Sequence, residues 1–394
     1  MNQRRNLLRA TLAGAALAPW ARLGRAAGNS EQRFVLILLR GGMDGLTAVP
    51  ALGDPAFAEA RGPLGVFAGA PLKLDSTFAL HPLLPQMHAM YGRGELTVLH
   101  ATGLPYRERS HFDAQQLLES GGTRPYEHST GWLARALAAS AGAGAVKGVA
   151  LETAVPLVLR GPAVVDSWAP SALPEPGADL VARIESMYRG DPALAQALAR
   201  ARGLRDLAGM AANPMAQPGA SGVRSPVVAL ARKAAEFLQR GTQVAVMEVN
   251  GWDSHTNQAL PNGAASNNLR TLDATLAALR DGLLPGGAWS QTVVLVVTEF
   301  GREVAMNGNQ GTDHGSGGAA FVLGGAVRGG RVLADWPGLA RKDRFEGRDL
   351  RITTDLRGAM RGLLADHLRI SRSALDATVL PGSAQVAVLD LLRG

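Results

Sequence analysis

Phe34-Val-Leu-Ile-Leu-Leu39 is a continuous apolar run of strand length that ends in a glycine-rich turn, Arg40-Gly-Gly-Met-Asp44-Gly45. A run that is apolar at every position is typical of a strand buried on both faces, as in a parallel sheet. Thr292-Val-Val-Leu-Val-Val297 repeats this pattern further along the chain. The two runs predict an α/β fold built on a sheet that is covered on both sides.

Further segments of strand and helix character alternate along the chain. Strands are predicted at 96–100, 244–249 and 319–323, and helices at 81–91, 112–119, 226–238, 268–284 and 356–366. Alternation of this kind predicts a parallel or mostly parallel sheet flanked by helices, with functional loops gathered at the carboxyl edge of the strands. Over about 150–240, proline-broken apolar segments give way to Ala/Leu/Arg-rich helices. We interpret this section as an inserted helical or cap region.

The first 27 residues have the pattern of a twin-arginine export signal. Arg4-Arg5 begins a charged segment, an Ala/Leu-rich stretch follows over 10–18, and Ala26-Ala27 offers a cleavage site. The alternative is an ordinary amphipathic N-terminal helix. With the signal, residues 28–394 are expected to form a single periplasmic or secreted domain that uses the twin-arginine translocase for export. No later stretch has about 20 uninterrupted apolar residues, so we expect no stable membrane insertion.

Charge and composition exclude some functions and limit the chemistry of others. The formal net charge is +7, but the first 27 residues hold five of the 40 basic residues and none of the 33 acidic ones. The rest of the chain therefore has a balance of +2, and without a dense basic run it does not support a nucleic-acid partner. Because the chain has no cysteine, a metal site must use His, Asp and Glu, which suit Zn, Mn, Mg or Ca.

Two acid–histidine pairs, Asp253-Ser-His255 and Asp313-His314, lie in turns that follow apolar, strand-like runs. In an extended segment, residues two apart face the same side, so Asp253 and His255 could bind one ion together. The alternative is a polar turn after the strand. Because the chain has only eight histidines, this placement is its best indication of a metal-dependent site.

Two further carboxylates follow predicted strands. Asp44 comes after the first strand and is either a metal ligand or a residue of an Asp-Gly turn. Glu299 ends the clearest strand, where a carboxylate is seldom buried unpaired, and this favours a metal ligand. Arg302 could bind an oxyanion through two hydrogen bonds or neutralise Glu299.

Ser110 and His111 lie where a helix is predicted to begin. The free backbone N–H groups of a helix start favour an anion, and a serine there could act as the nucleophile toward a phosphate or sulfate ester. The alternative is that Ser110 is simply a good N-cap. His111 is a candidate general base or ligand, with a structural role as its alternative.

The order of these residues resembles the alkaline-phosphatase-like superfamily, which includes sulfatases, phosphodiesterases and phosphomutases. Five stretches resemble more closely the DUF1501 family of exported bacterial proteins, over roughly residues 33–368. The stretches are Leu38-Leu-Arg-Gly-Gly-Met-Asp-Gly-Leu46, Arg109-Ser-His-Phe-Asp113, Gly251-Trp-Asp-Ser-His255, Thr298-Glu-Phe-Gly-Arg302 and Gly311-Thr-Asp-His-Gly315.

This resemblance implies an alkaline-phosphatase-like core, one or two divalent ions and a serine nucleophile. The residues at the matching positions are Asp44, Ser110, Asp253, His255 and His314. The chain differs from the superfamily at Phe300, since the late strand ends in Glu299-Phe300 instead of Asp-His. Phe300 cannot bind a metal, so either Asp313 compensates or the second ion is lost.

Three functions are compatible with these residues. The first is an exported, metal-dependent hydrolase of a small-molecule or polymeric anionic ester, in which Ser110 attacks and Arg302 or the helix start holds the oxyanion. The second is a catalytically decayed relative that acts as a periplasmic binding or envelope protein, an alternative supported by Phe300. The third is an enzyme that isomerises a substrate or transfers a phosphoryl group with the same loops.

Overall fold

The computed structural model describes residues 32–140, 148–171, 176–208, 225–258 and 260–394. The predicted export signal at 1–27 lies outside the described residues. None of the helices in the described part of the chain has both the length and the apolar character needed to cross a bilayer.

A nine-stranded sheet forms the centre of the described chain, accompanied by a small two-stranded hairpin. The strands in chain order are β1 (Arg33–Leu39), the hairpin strands β2 (Leu72–Lys73) and β3 (Ala79–Leu80), β4 (Leu96–Gly103), β5 (Gly148–Ala150), β6 (Val165–Ser167), β7 (Val244–Val249), β8 (Thr292–Thr298), β9 (Gly318–Leu323), β10 (Arg331–Leu333) and β11 (Thr354–Asp355). In space the order is β10-β4-β9-β8-β1-β7-β5-β6, and β11 also pairs with β4.

The neighbouring strands of the main sheet are parallel except at β9, which is antiparallel to both β8 and β4. This confirms the predicted mostly parallel sheet. In the centre, Leu39 is level with Val249 and Thr298, so β1, β7 and β8 end together. Because β9 runs the other way, its first residue, Gly318, lies at this edge, opposite Thr102 near the end of β4.

The side chains of β1 alternate between two apolar cores, one on each face of the sheet. Residues 35, 37 and 39 belong to one core and residues 34, 36 and 38 to the other, and each is at most 1% exposed. Burying one such side chain stabilises the fold by about 1.5–3 kcal/mol. The unbroken apolar run therefore forms the doubly buried strand that it predicts.

Helices cover both faces of the sheet, which confirms the predicted α/β class. Their bounds are α1 (Gly45–Ala48), α2 (Phe57–Arg61), α3 (Pro85–Gly92), α4 (His111–Ser120), α5 (Trp132–Ala139), α6 (Ala178–Tyr188), α7 (Pro192–Ala208), α8 (Pro226–Gln239), α9 (Ala264–Leu283), α10 (Leu356–Asp366) and α11 (Arg372–Ala374). Helices α3, α8 and α9 pack on the core that contains Ile37, and α4, α5 and α10 pack on the core that contains Leu36.

Local sequence sets where these helices begin. Ser225 accepts a hydrogen bond from Val227 N, and Pro226 occupies the first position of α8, as predicted. Asp355 caps α10 by accepting from a backbone N–H of the first turn. Helix α3 begins at Pro85 rather than at 81, because proline is tolerated in the first turn of a helix and breaks its interior.

Parts of the region over about 150–240 join the sheet and its core. Strand β5 pairs with β7 and β6 pairs with β5, which extends the main sheet, and α8 is buried along one side against the core. Helix α6, in contrast, has no buried residue. An inserted helical or cap region over about 150–240 stays a prediction.

Candidate metal centre

Four loops meet at the carboxyl edge of the sheet. Each of them leaves a parallel strand, β1, β4, β7 or β8, and the loop after β8 also enters the antiparallel strand β9. In chain order the loops carry Asp44, then Ser110 and His111, then Asp253 and His255, and finally Glu299, Arg302, Asp313 and His314. The fold thus brings every loop with a predicted site residue to one edge.

Three potential ligand atoms lie around a fourth, Nε2 of His314. His111 Nε2 lies 3.0 Å from it, although the two residues are 203 positions apart, and His255 Nε2 lies at 3.1 Å. Asp253 Oδ1 is 3.1 Å from His314 Nε2 and 2.9 Å from His255 Nε2. Ligand atoms at about 2.0–2.2 Å from a tetrahedral zinc ion are about 3.3–3.6 Å from one another, slightly longer than these separations.

Each of the three histidines is held through its other ring nitrogen. The Nδ1 contacts are His111 to Glu299 Oε1 at 2.8 Å, His255 to Asp313 Oδ1 at 3.1 Å, and His314 to the carbonyl oxygen of Arg109 at 3.0 Å. An acceptor at Nδ1 favours the proton there and leaves the Nε2 lone pair directed into the cluster. Three such lone pairs beside a carboxylate oxygen repel one another unless a proton or a metal cation lies among them. The donor set therefore fits a divalent metal ion.

Glu299 lies behind His111 and uses both carboxylate oxygens within the protein. Oε1 accepts hydrogen bonds from Gly41 N and Gln115 Nε2, each at 2.9 Å, and Oε2 lies 2.9 Å from the hydroxyl of Thr298. Burial by itself raises the pKa of Glu299, but hydrogen bonds from His111 and Gln115 outweigh it and lower the pKa to about 2. The structure thus gives Glu299, predicted as a ligand, the position of a charged support for His111.

The pKa values of two central histidines shift in opposite directions. The hydrogen bond to Glu299 is the main cause that raises the pKa of His111. Burial lowers the pKa of His314, and the nearby His111 lowers it further, against the opposing hydrogen bond to a backbone carbonyl. Positive charge is therefore favoured at the imidazole of His111 and disfavoured at that of His314.

Arg302 pairs with Asp253 and not with Glu299. Its Nη1 donates a 2.5 Å hydrogen bond to Asp253 Oδ1, its Nε donates to Thr312 Oγ1 at 3.1 Å, and its Nη2 donates to the carbonyl of Thr312. Burial raises the pKa of Asp253, but the hydrogen bond and charge of Arg302 outweigh it and lower the pKa. The guanidinium thus keeps Asp253 ionised, and its predicted contact with an oxyanion stays a prediction.

Phe300 lies against the histidines. Its side chain is buried, and its ring centroid is 4.6 Å from that of His111 and 5.2 Å from that of His314. A phenyl ring cannot bind a metal, but a packed aromatic face restricts the rotation of both imidazoles. Phe300, at which the chain departs from the superfamily pattern, therefore helps to orient the candidate ligands His111 and His314.

Asp44 lies outside the His111–Asp253–His314 cluster and belongs to a different polar network. It caps α1, and its Oδ2 is 2.5 Å from both Arg61 Nη2 and Gln258 Nε2. Burial raises the pKa of Asp44, but the charge of Arg61 outweighs it and lowers the pKa. Metal binding by Asp44 stays a prediction, and it would compete with all of these contacts.

Ser110 occupies the N-cap position of α4, but its side chain makes no capping hydrogen bond. The preceding residue, Arg109, has a left-handed φ of 58° and forms ion pairs with Glu346 and Asp349. In this turn the carbonyl oxygen of Arg109 contacts Nδ1 of His314. Ser110 follows Arg109 and directly precedes His111 of the cluster in the chain. The hydroxyl therefore lacks the backbone partner that the purely structural alternative requires, and its role as nucleophile stays a prediction.

A glycine permits the close approach of the loops after β1 and β7. Gly41 has a φ of +117°, a conformation that other residues rarely adopt. A Cβ at this position would lie 2.5 Å from the backbone N of Asp253. The glycine-rich turn of the first loop is thus needed to place Asp253 beside β1.

Two supporting residues were not apparent from the sequence. Gln115 lies four positions after His111 on the same face of α4, and helical spacing could have identified it, since both side chains contact Glu299. Asn307 Nδ2 lies 3.0 Å from Asp313 Oδ1 and 3.1 Å from the carbonyl of His255. Because Asn307 lies in an irregular loop, no periodic pattern in the sequence marks it.

The chain belongs to the DUF1501 family. Residues 39–361, a range that includes all four loops of the site, match the family model described as "Protein of unknown function (DUF1501)". This confirms the family resemblance seen in the sequence motifs. No curated protein matches the chain.

Several solved structures are similar to this one at low sequence identity. Ps i-CgsB in complex with k-i-k-neocarrahexaose has 10% identity and a TM-score of 0.42, with 89% of this chain and 76% of that chain covered. The phosphonate monoester hydrolase of Agrobacterium radiobacter has 13% identity and a TM-score of 0.37, with 86% and 74% covered. The PsFucS1 sulfatase from Pseudoalteromonas sp. has 12% identity and a TM-score of 0.40, with 91% and 70% covered.

Proposed function

We propose that the protein is a metal-dependent hydrolase of phosphate or sulfate esters. The observation that carries this proposal is the convergence of three imidazole Nε2 atoms and Asp253 Oδ1, with each ring supported through Nδ1. His111, His255, His314 and Asp253 would hold a divalent ion. When bound, the ion would act as a Lewis acid on the ester and stabilise negative charge on the leaving oxygen.

Ser110 is the proposed nucleophile. Its oxygen would form a bond to the phosphorus or sulfur atom while the bond to the alcohol breaks, and the alcohol would leave with a proton. Water would then release phosphate or sulfate from the serine, which regenerates the hydroxyl. The backbone N–H groups at the start of α4, a ten-residue helix, favour an anion next to this side chain.

The contacts favour one ion over two. Asp44 is engaged by Arg61 and Gln258, Phe300 offers no ligand atom, and the carboxylate of Glu299 is used by His111 and Gln115. A second ion would need some of these side chains to be released from buried partners. We therefore assign the predicted ligands Glu299 and Asp313 the role of supporting His111 and His255.

Export and substrate location belong to the same proposal. The Arg4-Arg5 pattern supports passage through the twin-arginine translocase and activity in the periplasm or outside the cell. The substrate would be an anionic ester, either a small molecule or part of a polymer.

Metal analysis of the purified full-length protein tests the site. We expect about one bound divalent ion per chain, lost in His255→Ala and retained in His88→Ala, whose imidazole contacts only the carbonyl of Lys73 in the described chain. Chromogenic phosphate and sulfate esters then test the activity, which should disappear in Ser110→Ala without loss of the ion. A folded wild-type protein that binds no metal and ignores chelators would contradict the hydrolase and support the decayed binding protein.

A further inference from the structure

A cavity of about 210 Å³ lies on the described surface, and none of its lining residues belongs to the His111–Asp253–His314 cluster. Its walls come from the segment after α2, the segment before α3 and the start of α9. Leu64, Phe67 and Leu83 supply much of its apolar surface. The volume is below the range of about 300–1,000 Å³ that is common for drug-sized ligands, so the cavity suits a small molecule.

Arg270 brings a cation to the wall of this cavity. Its Nη1 donates to Asn267 Oδ1 at 3.0 Å and its Nη2 to the carbonyl of Pro261 at 2.7 Å. Among the described residues, no carboxylate forms an ion pair with it. An arginine held in place by neutral acceptors retains N–H groups and its full charge for an anion.

His81 supplies a neutral donor beside this cation. Its Nδ1 accepts a hydrogen bond from Leu83 N at 3.1 Å, so the ring proton lies on Nε2, which makes no hydrogen bond within the described chain. Burial, and then the charge of Arg270, lower the pKa of His81 to about 4. At neutral pH the cavity therefore presents one positive charge and one uncharged N–H donor.

Gln258 and Ser266, two other polar residues that line the cavity, already have hydrogen-bond partners. Gln258 uses its amide N–H groups on Asp44 Oδ2 and Thr47 Oγ1, and its carbonyl oxygen accepts from Ser254 and Thr312. Ser266 donates to a backbone carbonyl. A ligand would therefore find its polar partners at Arg270 and His81 and apolar contacts elsewhere.

We propose that this cavity binds a small organic monocarboxylate, with its carboxylate at Arg270 and His81 and its hydrocarbon part against Phe67 and Leu83. Two donor groups match the two oxygens of a carboxylate, whereas a phosphate or sulfate group has additional oxygens to satisfy. A dianion would also bury a second charge for which the cavity has no cation. The site is separate from the proposed hydrolase centre and does not depend on its activity.

Calorimetric titration of the full-length protein with hexanoate and with hexanamide tests this site, because the two molecules have nearly the same shape and differ in charge. We expect hexanoate to bind at one site about tenfold or more tightly than hexanamide, since hydrogen bonds to charged groups are the stronger ones. Arg270→Gln should remove this preference, and His81→Asn, which keeps an acceptor for Leu83 N, should reduce it. The matched control is Arg160→Gln, an exposed arginine that also donates to a backbone carbonyl.

Several outcomes would overturn the proposal. Equal binding of hexanoate and hexanamide, or no binding of hexanoate, would show that Arg270 does not select an anion. Tighter binding of hexyl phosphate than of hexanoate would assign the cavity to a different ligand class. Loss of hexanoate binding in His255→Ala would place the carboxylate at the metal centre instead, whereas retention in that variant would support the separate cavity whether or not the protein hydrolyses esters.

Discussion

The carboxylate of Glu299 and the imidazole of His111 meet in a hydrogen bond of 2.8 Å between Oε1 and Nδ1. This contact fixes the proton of His111 on the side away from the cluster and makes Nε2 a better electron donor. Gln115 and Gly41 hold the same oxygen of Glu299 from two further directions. The orientation of His111 is therefore built into the end of β8 and the first turns of α4.

Replacement of Glu299 by glutamine should weaken metal binding without unfolding the protein. Removal of a partner behind a metal-binding histidine costs about 10–100-fold in affinity, since the ligand becomes less basic and less fixed. Competition with a chromogenic chelator measures the change. Glu236→Gln is the matched control, because Glu236 pairs with Lys233 on α8. Equal affinities in Glu299→Gln and wild type would show that the contact does not support the ion.

Replacement of Asp44 by alanine should lower stability more than metal content. Arg61 is 1% exposed, and removal of its carboxylate partner would leave a buried charge uncompensated, at a cost of about 3–5 kcal/mol. Urea denaturation measures this loss. Asp390→Ala, which removes the exposed partner of Arg328, should change the unfolding free energy by less than about 1 kcal/mol. Loss of the ion from a fully stable Asp44→Ala variant would instead identify Asp44 as a ligand.

His100 should make stability depend on pH between about 6.5 and 4. The ring is fully buried, with Nδ1 accepting from Ala101 N at 2.8 Å and Nε2 donating to the carbonyl of Val49 at 3.0 Å. Burial lowers the pKa of His100 from 6.5 to about 4. Below pH 6.5 the unfolded chain binds a proton that the folded protein does not bind, so the unfolding free energy decreases as the pH falls, by up to about 3 kcal/mol.

The variant His100→Gln isolates this contribution, because glutamine can still donate to the carbonyl of Val49 and does not titrate. It should be less stable than wild type at pH 7, where the packing of the ring against Phe78 and Trp336 is lost. The difference in unfolding free energy between the two proteins should shrink as the pH approaches 4. A constant difference across this range would contradict the assignment.

The sequence predicted the sheet well because a strand that is buried on both faces has a continuous apolar run. The runs at 34–39 and 293–297 are apolar at every position, and both became central parallel strands. The direction of β9 could not be predicted in this way, since an apolar run at 319–323 has the same pattern whichever way the strand runs. Because β9 runs antiparallel to β8, the connection between them leaves and re-enters the sheet at the carboxyl edge, and this keeps Asp313 and His314 there.

The sequence predicted which residues lie at the site better than it predicted the position and role of each residue within it. Glu299 and His111 both lie at the ends of elements, and residue type alone does not tell which one faces the cluster and which one lies behind it. The partner of Asp44 could not be predicted from the sequence either. Arg61 belongs to a short helix 17 positions away, and no regular spacing in the sequence links the two residues. Such roles depend on contacts between loops that the strand pattern does not specify.

Gly311 should be essential for the close approach of the loop that carries His255 and the loop that carries Asp313 and His314. A Cβ at Gly311 would lie 2.2 Å from the carbonyl carbon of His255 and 2.4 Å from its oxygen, far inside normal contact. Both atoms are backbone, so Gly311→Ala must push the loops apart and lengthen the 3.1 Å contact between Asp313 Oδ1 and His255 Nδ1. We expect a loss of about 1–3 kcal/mol in unfolding free energy, as in other overpacked sites, together with weaker metal binding.

Gly308→Ala provides a matched control in the same loop, because a Cβ at Gly308 meets no atom within 4 Å. This variant should keep the stability and metal content of wild type. Urea denaturation and metal analysis of both variants separate a local clash from a general intolerance of the loop to side chains. If both variants lost the ion to the same extent, flexibility of the loop and not its contact with His255 would be required. If neither lost it, the two loops could separate without harm to the site, and His255 would not depend on Asp313 for its position.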